Sequence, residues 1–595
     1  MNFKEFTVKD LKELDISHLS SLAQNLREEI ISAVNVNGGH LSSNLGIVET
    51  TIALHYVFDF PLDKIIFDVG HQCYTHKILS GRTIEKIRKQ GGVSGFPDPE
   101  ESEYDVFGTG HAGTSLAFAI GLADARDREK KDFFVISVVG DGALFNGENL
   151  EALTSREYKP SKMIVVLNDN GMSISKNING FYKKISKKSI SKSYVRSKSF
   201  FHKIFGNSFI TKILSKLKNF IKRLFGSKPI FEDMGFKYVG VLDGNNIKDL
   251  VKTFTKIKNS PSIGPILLHV KTTKGKGYKQ AEERAEEYHG VSENLALNSS
   301  GFSKELGKIL IKEIEKDKRI IAITAAMKEG TGLKDVEKVF PDNVIDVGIA
   351  ESYALTYSAG LAKGGQKPIV CMYSTFLQRA YDQIIEDVCM QNLPVVFCVD
   401  RAGFSGADGK THQGVYDLSF LTHIPSLTVL APAYIQEFSS AVSYALSLNS
   451  PVAIRYPKGG VGLEGEVSDF SHGWQKISSG EDVIILAVGG NMISLAKEIQ
   501  SKAPFSVGII SARIVKPLDF KVLEEIKEKT VITLEENSVL GGFGSSVLGY
   551  YSKMGHKTKV KVFGVPDCFF KHDTIKNQIK TAGLTAEKII SEVFN

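Results

Sequence analysis

The stretch from Val135 to Asn170 constrains the fold more than any other. It opens with an apolar run, Phe133-Phe134-Val135-Ile136-Ser137-Val138-Val139, that stops at Gly140-Asp141-Gly142-Ala143. A polar segment follows, then a second apolar run, Met163 to Leu167, that stops at Asn168-Asp169-Asn170. The pattern predicts strand, turn, helix, strand, turn, with both strands buried in a parallel sheet. Both turns then lie at the carboxyl ends of the strands, where open α/β sheets bind ligands. Asp141 offers a hard carboxylate oxygen and Asn170 an amide oxygen 29 residues later. Glycines on either side of Asp141 let the backbone approach a phosphate closely. Such a pair suits Mg²⁺, which takes one or two side-chain oxygens and completes its octahedron with phosphates. Taken singly, Gly-Asp-Gly reads equally well as a plain turn and Asn-Asp-Asn as a loop.

A chain of 595 residues predicts three or more domains. The apolar and charged fractions, 42% and 24%, are those of a soluble globular protein. Cys73, Cys371, Cys389, Cys398 and Cys568 form no C-x-x-C pair, which argues against a zinc site or disulfide framework and for reduced thiols in a cytoplasmic protein. The N-terminus has no apolar signal core, and no apolar run approaches the roughly 20 residues of a membrane span. The net charge of +7 is local: residues 183–228 hold 14 Lys or Arg and no acid, so the rest of the chain carries −7. Nucleic-acid binding is therefore not expected.

Residues 1–35 repeat Leu and Ile at helical spacing. Then comes Gly39-His40-Leu41-Ser42-Ser43-Asn44. The apolar run Ile65 to Val69 leads into Gly70-His71-Gln72, and Gly108-Thr109-Gly110-His111-Ala112-Gly113 precedes a helix predicted over Leu116 to Ala125. One turn histidine is ordinarily structural; three glycine-flanked histidines at element ends mark a site. Residues 183–228 read as a mobile surface insertion or lid, with a membrane-surface helix as the rarer alternative. A strand over Ile266 to Val270 runs into a loop ending at Tyr278, and the polar residues 281–301 read as a linker. Strand signals alternating with helices define a second α/β unit, with strands predicted from Ile320, Val344, Pro368, Val395, Thr428 and Val452. A third has strands predicted from Val483, Ser506, Val531 and Val560 and a turn at Gly541-Gly542-Phe543-Gly544. The predicted domains are 1–301, 302–468 and 469–595.

Asp68-Val69-Gly70-His71-Gln72, Gly140-Asp141-Gly142-Ala143, Asn168-Asp169-Asn170, Tyr373 to Asp382, Asp400-Arg401-Ala402-Gly403, Gly406 to Gly414 and Arg455-Tyr456-Pro457-Lys458-Gly459 resemble the 1-deoxy-D-xylulose-5-phosphate synthase family of the transketolase superfamily, over nearly the full chain. The resemblance implies a three-domain transketolase-like α/β fold, each domain a mostly parallel sheet flanked by helices. It implies a homodimeric transferase that condenses pyruvate with glyceraldehyde 3-phosphate using thiamine diphosphate and Mg²⁺. Asp141, Asn170 and the carbonyl of Met172 would hold the metal. His71, Gly110, His111, Ala112, Gly142, Ala143, Asn170 and Tyr278 would contact the cofactor, and Glu351 would hydrogen-bond its aminopyrimidine. His40, Tyr373, Asp408 and His412 would handle protons and hold the acceptor aldehyde, whose phosphate would go to Arg401 and Lys458. Three positions depart from the family pattern: Tyr353 stands for a histidine, Ala112-Gly113 for Ser-Ser, and Lys458 for an arginine, which keeps the charge and loses the fork. A related thiamine-dependent enzyme with another donor or acceptor, or a non-catalytic paralogue, is the rival reading.

Overall fold

The structure is a computed structural model that describes residues 3, 6–155, 161–171, 230–260, 264–293, 301–459 and 469–594. Met172 and the basic segment 183–228 lie outside the described residues. The chain divides into two compact units, Met1–Ile87 with Gly95–Leu297, and Arg88–Ser94 with Asn298–Asn595.

The first unit is built on β1 (Lys64–Phe67), β2 (Val135–Gly140), β3 (Met163–Asp169), β4 (Lys237–Asp243) and β5 (Ile266–Lys271), in the order β1-β2-β3-β5-β4. Every pairing is parallel, so all carboxyl ends share one edge. β3 is buried throughout, which is why it reads as an unbroken apolar run. Leu116, Ala119 and Ala123 of the helix Ser115–Arg128 pack against Val135, Val139 and Val165. β1 ends two residues before the predicted Val69. Val69 takes φ 60°, and the buried Asp68 carboxylate turns aside to accept N–H bonds from Gly113 (2.9 Å) and Ser115 (3.1 Å). β4 escaped the sequence reading because it is an edge strand with only Gly240 buried.

The N-terminal helices Val8–Glu13 and Leu19–Asn37 bury Leu11, Leu22, Leu26 and Ile30 as the periodicity predicts. Thr7 and Asp10 close a capping box on the first. The linker reading fails for residues 281–293. Ala281, Ala285, Tyr288 and Val291 are buried, and Val291 exchanges two backbone bonds with Gly39 (2.8 and 2.9 Å). Four apolar residues on a polar background suffice to fold this segment back onto the unit.

The second unit holds two sheets. Its strands begin with β6 (Ile320–Thr324), β7 (Val344–Asp346), β8 (Lys367–Tyr373), β9 (Val396–Asp400), β10 (Thr428–Leu430) and β11 (Val452–Arg455). They continue with β12 (Gln475–Ser478), β13 (Val483–Ala487), β14 (Val507–Ser511), β15 (Ile514–Lys516), β16 (Thr530–Ser538) and β17 (Val560–Val565). The sheet orders are β15-β10-β11-β9-β8-β6-β7 and β12-β14-β13-β16-β17. All pairs are parallel except β10–β15 and β12–β14. The three residues of β15, unread in the sequence, follow β14 in the chain and yet extend the larger sheet. No helix among the described residues is long and apolar enough to cross a membrane.

Candidate active site

In the first unit the carboxyl edge brings together the ends of β1, β2, β3 and β5. Asp141, just past β2, is buried, and Asn170 follows β3 half-buried. Lys274, three residues past β5, is buried as well; burial lowers its pKa to about 8 against the pull of Asp141 and Glu286. Among the described residues, no heavy atom lies within 4 Å of where a Cβ on Gly140 or Gly171 would stand. A buried cation, two hard oxygen donors and open backbone beside each donor fit a diphosphate held through Mg²⁺. Asp169, between the expected ligands, is engaged by His269 Nε2 (2.8 Å), whose Nδ1 meets Tyr238 Oη (2.8 Å).

Two of the three expected histidines meet. The His40 and His71 ring centroids are 5.5 Å apart, and a third ring, His289, lies 5.6 Å from the first and 5.0 Å from the second. Asn44 ties their loops: its Nδ2 donates to the carbonyls of His40 (2.6 Å) and His71 (2.7 Å), and its Oδ1 accepts from Tyr74 N–H (2.8 Å). Burial, with Lys274, His71 and His40 nearby, holds the His289 pKa well below the usual imidazole value. His111 and Ala112 are half-buried and Gly110 buried, in the loop whose end Asp68 fixes. Tyr278, half-buried, donates to Gln280 (2.7 Å). A buried ion cluster supports this side of the unit: Asp105 accepts from Arg82 (2.5 and 2.9 Å), His76 (2.9 Å) and Asp98 N–H (2.8 Å).

In the second unit, Tyr373 ends β8, Arg401 follows β9 and Lys458 follows β11, and these strands are neighbours. The Arg401 guanidinium lies 3.6 Å from the Tyr373 ring centroid. Burial pushes the Tyr373 phenol up to about 12. Asp408 accepts from Arg88 on one oxygen (2.6 Å) and Lys458 on the other (3.0 Å). Asp408 draws the Lys458 pKa up, but burial together with Arg401 and Arg88 outweighs it, and the net shift is downward. Asp408 thus bridges Arg88 and Lys458, and Arg401 feels both Asp408 and the buried Asp400 electrostatically. His412 sits edge-on to Phe376 (5.5 Å), its Nδ1 at 2.9 Å from Thr411 Oγ1. Glu351 opens the helix Glu351–Lys363 and is buried; desolvation raises its pKa against the pull of Arg379.

Residues 4–272 match the family model for 1-deoxy-D-xylulose-5-phosphate synthase. Residues 301–462 match the transketolase pyrimidine-binding domain, and 472–589 the transketolase C-terminal domain. The chain is 44% identical to the 1-deoxy-D-xylulose-5-phosphate synthase of Clostridium tetani, covering 99% of this chain and 98% of the relative. It is 45% identical to that of Halothermothrix orenii, covering 95% and 92%. The chain belongs to the 1-deoxy-D-xylulose-5-phosphate synthase family. Among solved structures, a transketolase from Campylobacter jejuni aligns over 98% of this chain and 100% of its own, at 17% identity and a TM-score of 0.43.

The departures of this synthase-family member have local reasons at two positions. Gly113 has φ 92°, and a Cβ there would stand 2.2 Å from Asn146 Oδ1, so the usual serine does not fit beside that asparagine. Lys458 reaches Asp408 with one ammonium where an arginine would present a fork. Tyr353 is 57% exposed and packs on Tyr357 (5.7 Å). The sequence reading missed His289, Asn44, Lys274 and Arg88 as site residues. His289 had the same signal as the others, a glycine neighbour at Gly290. Arg88 had none, because it reaches Asp408 across 320 positions.

Proposed function

We propose that the chain condenses pyruvate with D-glyceraldehyde 3-phosphate to give 1-deoxy-D-xylulose 5-phosphate and CO₂, feeding isoprenoid, thiamine and pyridoxal synthesis. The cluster of Arg88, Arg401 and Lys458 carries the acceptor assignment. Three cations against two carboxylates, Asp408 and the neighbouring buried Asp400, leave a net positive pocket that suits a phosphate dianion better than a neutral sugar. Thiamine diphosphate, when bound, supplies the acidic thiazolium carbon and the electron sink that decarboxylation of a 2-oxo acid requires.

The residues divide the remaining work. Asp141 and Asn170, with the Met172 carbonyl from outside the described residues, hold Mg²⁺, and Lys274 adds positive charge beside the diphosphate. His71, Gly110, His111, Ala112, Gly142, Ala143 and Tyr278 line the cofactor. Glu351 holds its carboxyl against the aminopyrimidine. A dry carboxyl with a raised pKa suits exchange of a proton at that ring. His40 and His71, with His289 kept neutral, offer acceptor nitrogens for substrate hydroxyl protons. Tyr373 stays protonated and donates. Asp408 orders the cations, and His412 faces the acceptor. Three domains, 1–301, 302–468 and 469–595, and a cytoplasmic homodimer complete the reading. Tyr353 of the Glu351 helix and Met390, just past the neighbouring helix Ile384–Cys389, are 57% and 70% exposed and support pairing through apolar surface there.

Donor choice tests the reading. With thiamine diphosphate and Mg²⁺, steady-state turnover of glyceraldehyde 3-phosphate should be supported by pyruvate and not by a ketose phosphate. Turnover with the ketose phosphate alone would mean a transketolase.

A further inference from the structure

Of the residues assigned to the acceptor phosphate, Lys458 stands three positions past β11, while Arg401 and Arg88 lie on two arms of the second unit. One is the loop from Arg401 to Gly414, which carries Arg401, Asp408 and His412. The other is the turn Arg88–Ser94, closed by Arg88 N–H to the Val93 carbonyl (2.7 Å). Neither arm is a strand or a long helix, so something else must fix them. The last sheet and the segment after it do so on both arms. Gln578, buried in the helix Ile575–Thr581, pairs with Gly406 as one peptide group pairs with another. It accepts the Gly406 N–H (3.0 Å) and donates to the Gly406 carbonyl (3.1 Å), with a further bond to the Lys571 carbonyl (2.8 Å). Glu536, at the end of β16, accepts the Phe404 N–H (3.3 Å) and is itself held by Asn491 (2.7 Å). Gln413 spans the loop, accepting from Ser405 N–H (2.7 Å) and donating to the Phe570 carbonyl (3.4 Å). Phe404 packs edge-on to Phe570 (5.1 Å). On the other arm, His572 Nε2 meets the Gly92 carbonyl at 3.1 Å.

We infer that the segment Phe570 to Gln578 is the positioning element for acceptor affinity, with Gln578 and His572 setting the separation between the loop that carries Arg401 and the turn that carries Arg88. The inference rests on the phosphate-site reading above. Five residues lie between His572 and Gln578, and the pair grips the loop that carries Arg401 and Asp408 and the turn whose Arg88 bonds to Asp408. A loop and a turn held from one short segment keep a fixed spacing, which a phosphate dianion bound between cations requires within a few tenths of an ångström. Removing the Gln578 amide takes the acceptor from the buried Gly406 N–H and leaves the Gly406 carbonyl only the longer bond from Asp573 N–H (3.4 Å), and the loop must shift to recover the loss. The effect falls on the acceptor because these contacts run to the loop of Arg401 and the turn of Arg88, and among the described residues none of them runs to Glu351.

The test uses the full-length holoenzyme and three variants: Gln578→Met, His572→Phe and, as a reference, Arg401→Ala. Gln578→Met should raise KM for glyceraldehyde 3-phosphate about tenfold, the weight of one buried hydrogen bond. KM for pyruvate should stay within about twofold, and kcat/KM for unphosphorylated D-glyceraldehyde, which also meets His412 on this loop, should fall by clearly less than for the phosphorylated aldehyde. His572→Phe keeps the ring, loses the bond to Gly92 and should show the same selectivity; it carries the test alone if Gln578→Met does not fold. Equal losses on both aldehydes, or no loss on either while Arg401→Ala is selective, overturn the positioning role and leave the phosphate site standing. If Arg401→Ala itself fails to discriminate the aldehydes, the phosphate reading falls and this inference with it.

Discussion

Arg401 is held in a backbone conformation that few arginines adopt, with φ 59°, its guanidinium stacked 3.6 Å from the Tyr373 ring centroid. Losing one charge-assisted hydrogen bond costs about 1.5–3 kcal/mol, or roughly 10- to 150-fold in affinity. Arg401→Ala should therefore raise KM for the phosphorylated aldehyde by about that factor and leave pyruvate unaffected, as parallel kinetics would read. Close packing around the same pair gives a second expectation. A Cβ on Gly330 would stand 1.7 Å from Tyr373 Oη, so Gly330→Ala must displace the tyrosine. Overpacking of this kind costs about 1–3 kcal/mol, visible as a lower Tm, and acceptor turnover should fall with it. At the metal, Asp141→Ala should abolish Mg²⁺-dependent thiamine diphosphate binding in calorimetry; unchanged affinity would remove Asp141 from the site. Asp141 and Arg401 stood out in the sequence because each follows a strand directly, and Glu351 because it opens the helix five positions past β7. Asn44, Lys274 and Arg88 were not legible, since only the folded chain gives them partners.

Strands written as largely apolar runs were read almost to the residue: β6, β10 and β17 match their predicted spans, and β2, β3 and β9 differ by one or two positions. The edge strands β4, β12 and β15 were missed, because β4 and β12 bury almost nothing and β15 is three residues long, whereas the edge strands β1, β7 and β17 carry apolar runs and were read. The glycine-rich turn at Gly541 and Gly542 was noticed without a role, and its partner explains it. Glu535, fully buried at the end of β16, accepts N–H bonds from Phe543 and Gly544 (2.8 Å each) at the start of the helix Phe543–Met554. Burial pushes its pKa up from 4.5 to about 7, in spite of those bonds and of Arg455. Between the two values the folded state binds more protons than the unfolded one. This contribution to stability is thus full below about 4.5 and is lost as pH rises through about 7. The limit is on the order of 3 kcal/mol. Denaturant unfolding at pH 5 and 8 should show the loss, and Glu535→Gln, which keeps an acceptor and cannot ionise, should reduce it. An equal slope in both proteins would place the titration elsewhere.

The two sheets of the second unit are joined by more than chain continuity. β15 extends the larger sheet, and the buried pair Arg455–Asp417 (2.8 and 3.2 Å) also reaches the Glu536 carbonyl (3.3 Å). Arg455→Met leaves the Asp417 carboxylate buried without its cation, a change that costs about 3–5 kcal/mol. Calorimetry should show the unit melting earlier, still in one transition. Two separate transitions in the parent would show that the sheets are independent. The sequence supported three domains because it carries three sets of α/β signals; the grip of one set on another lies in single residues far apart in the chain. The central claim concerns the product, and one labelling experiment addresses it directly. With [2,3-¹³C₂]pyruvate, D-glyceraldehyde 3-phosphate, thiamine diphosphate and Mg²⁺, NMR and mass analysis should find 1-deoxy-D-xylulose 5-phosphate labelled at C1 and C2, with unlabelled CO₂. Label confined to a pyruvate self-condensation product, or no consumption of the aldehyde, would contradict the account.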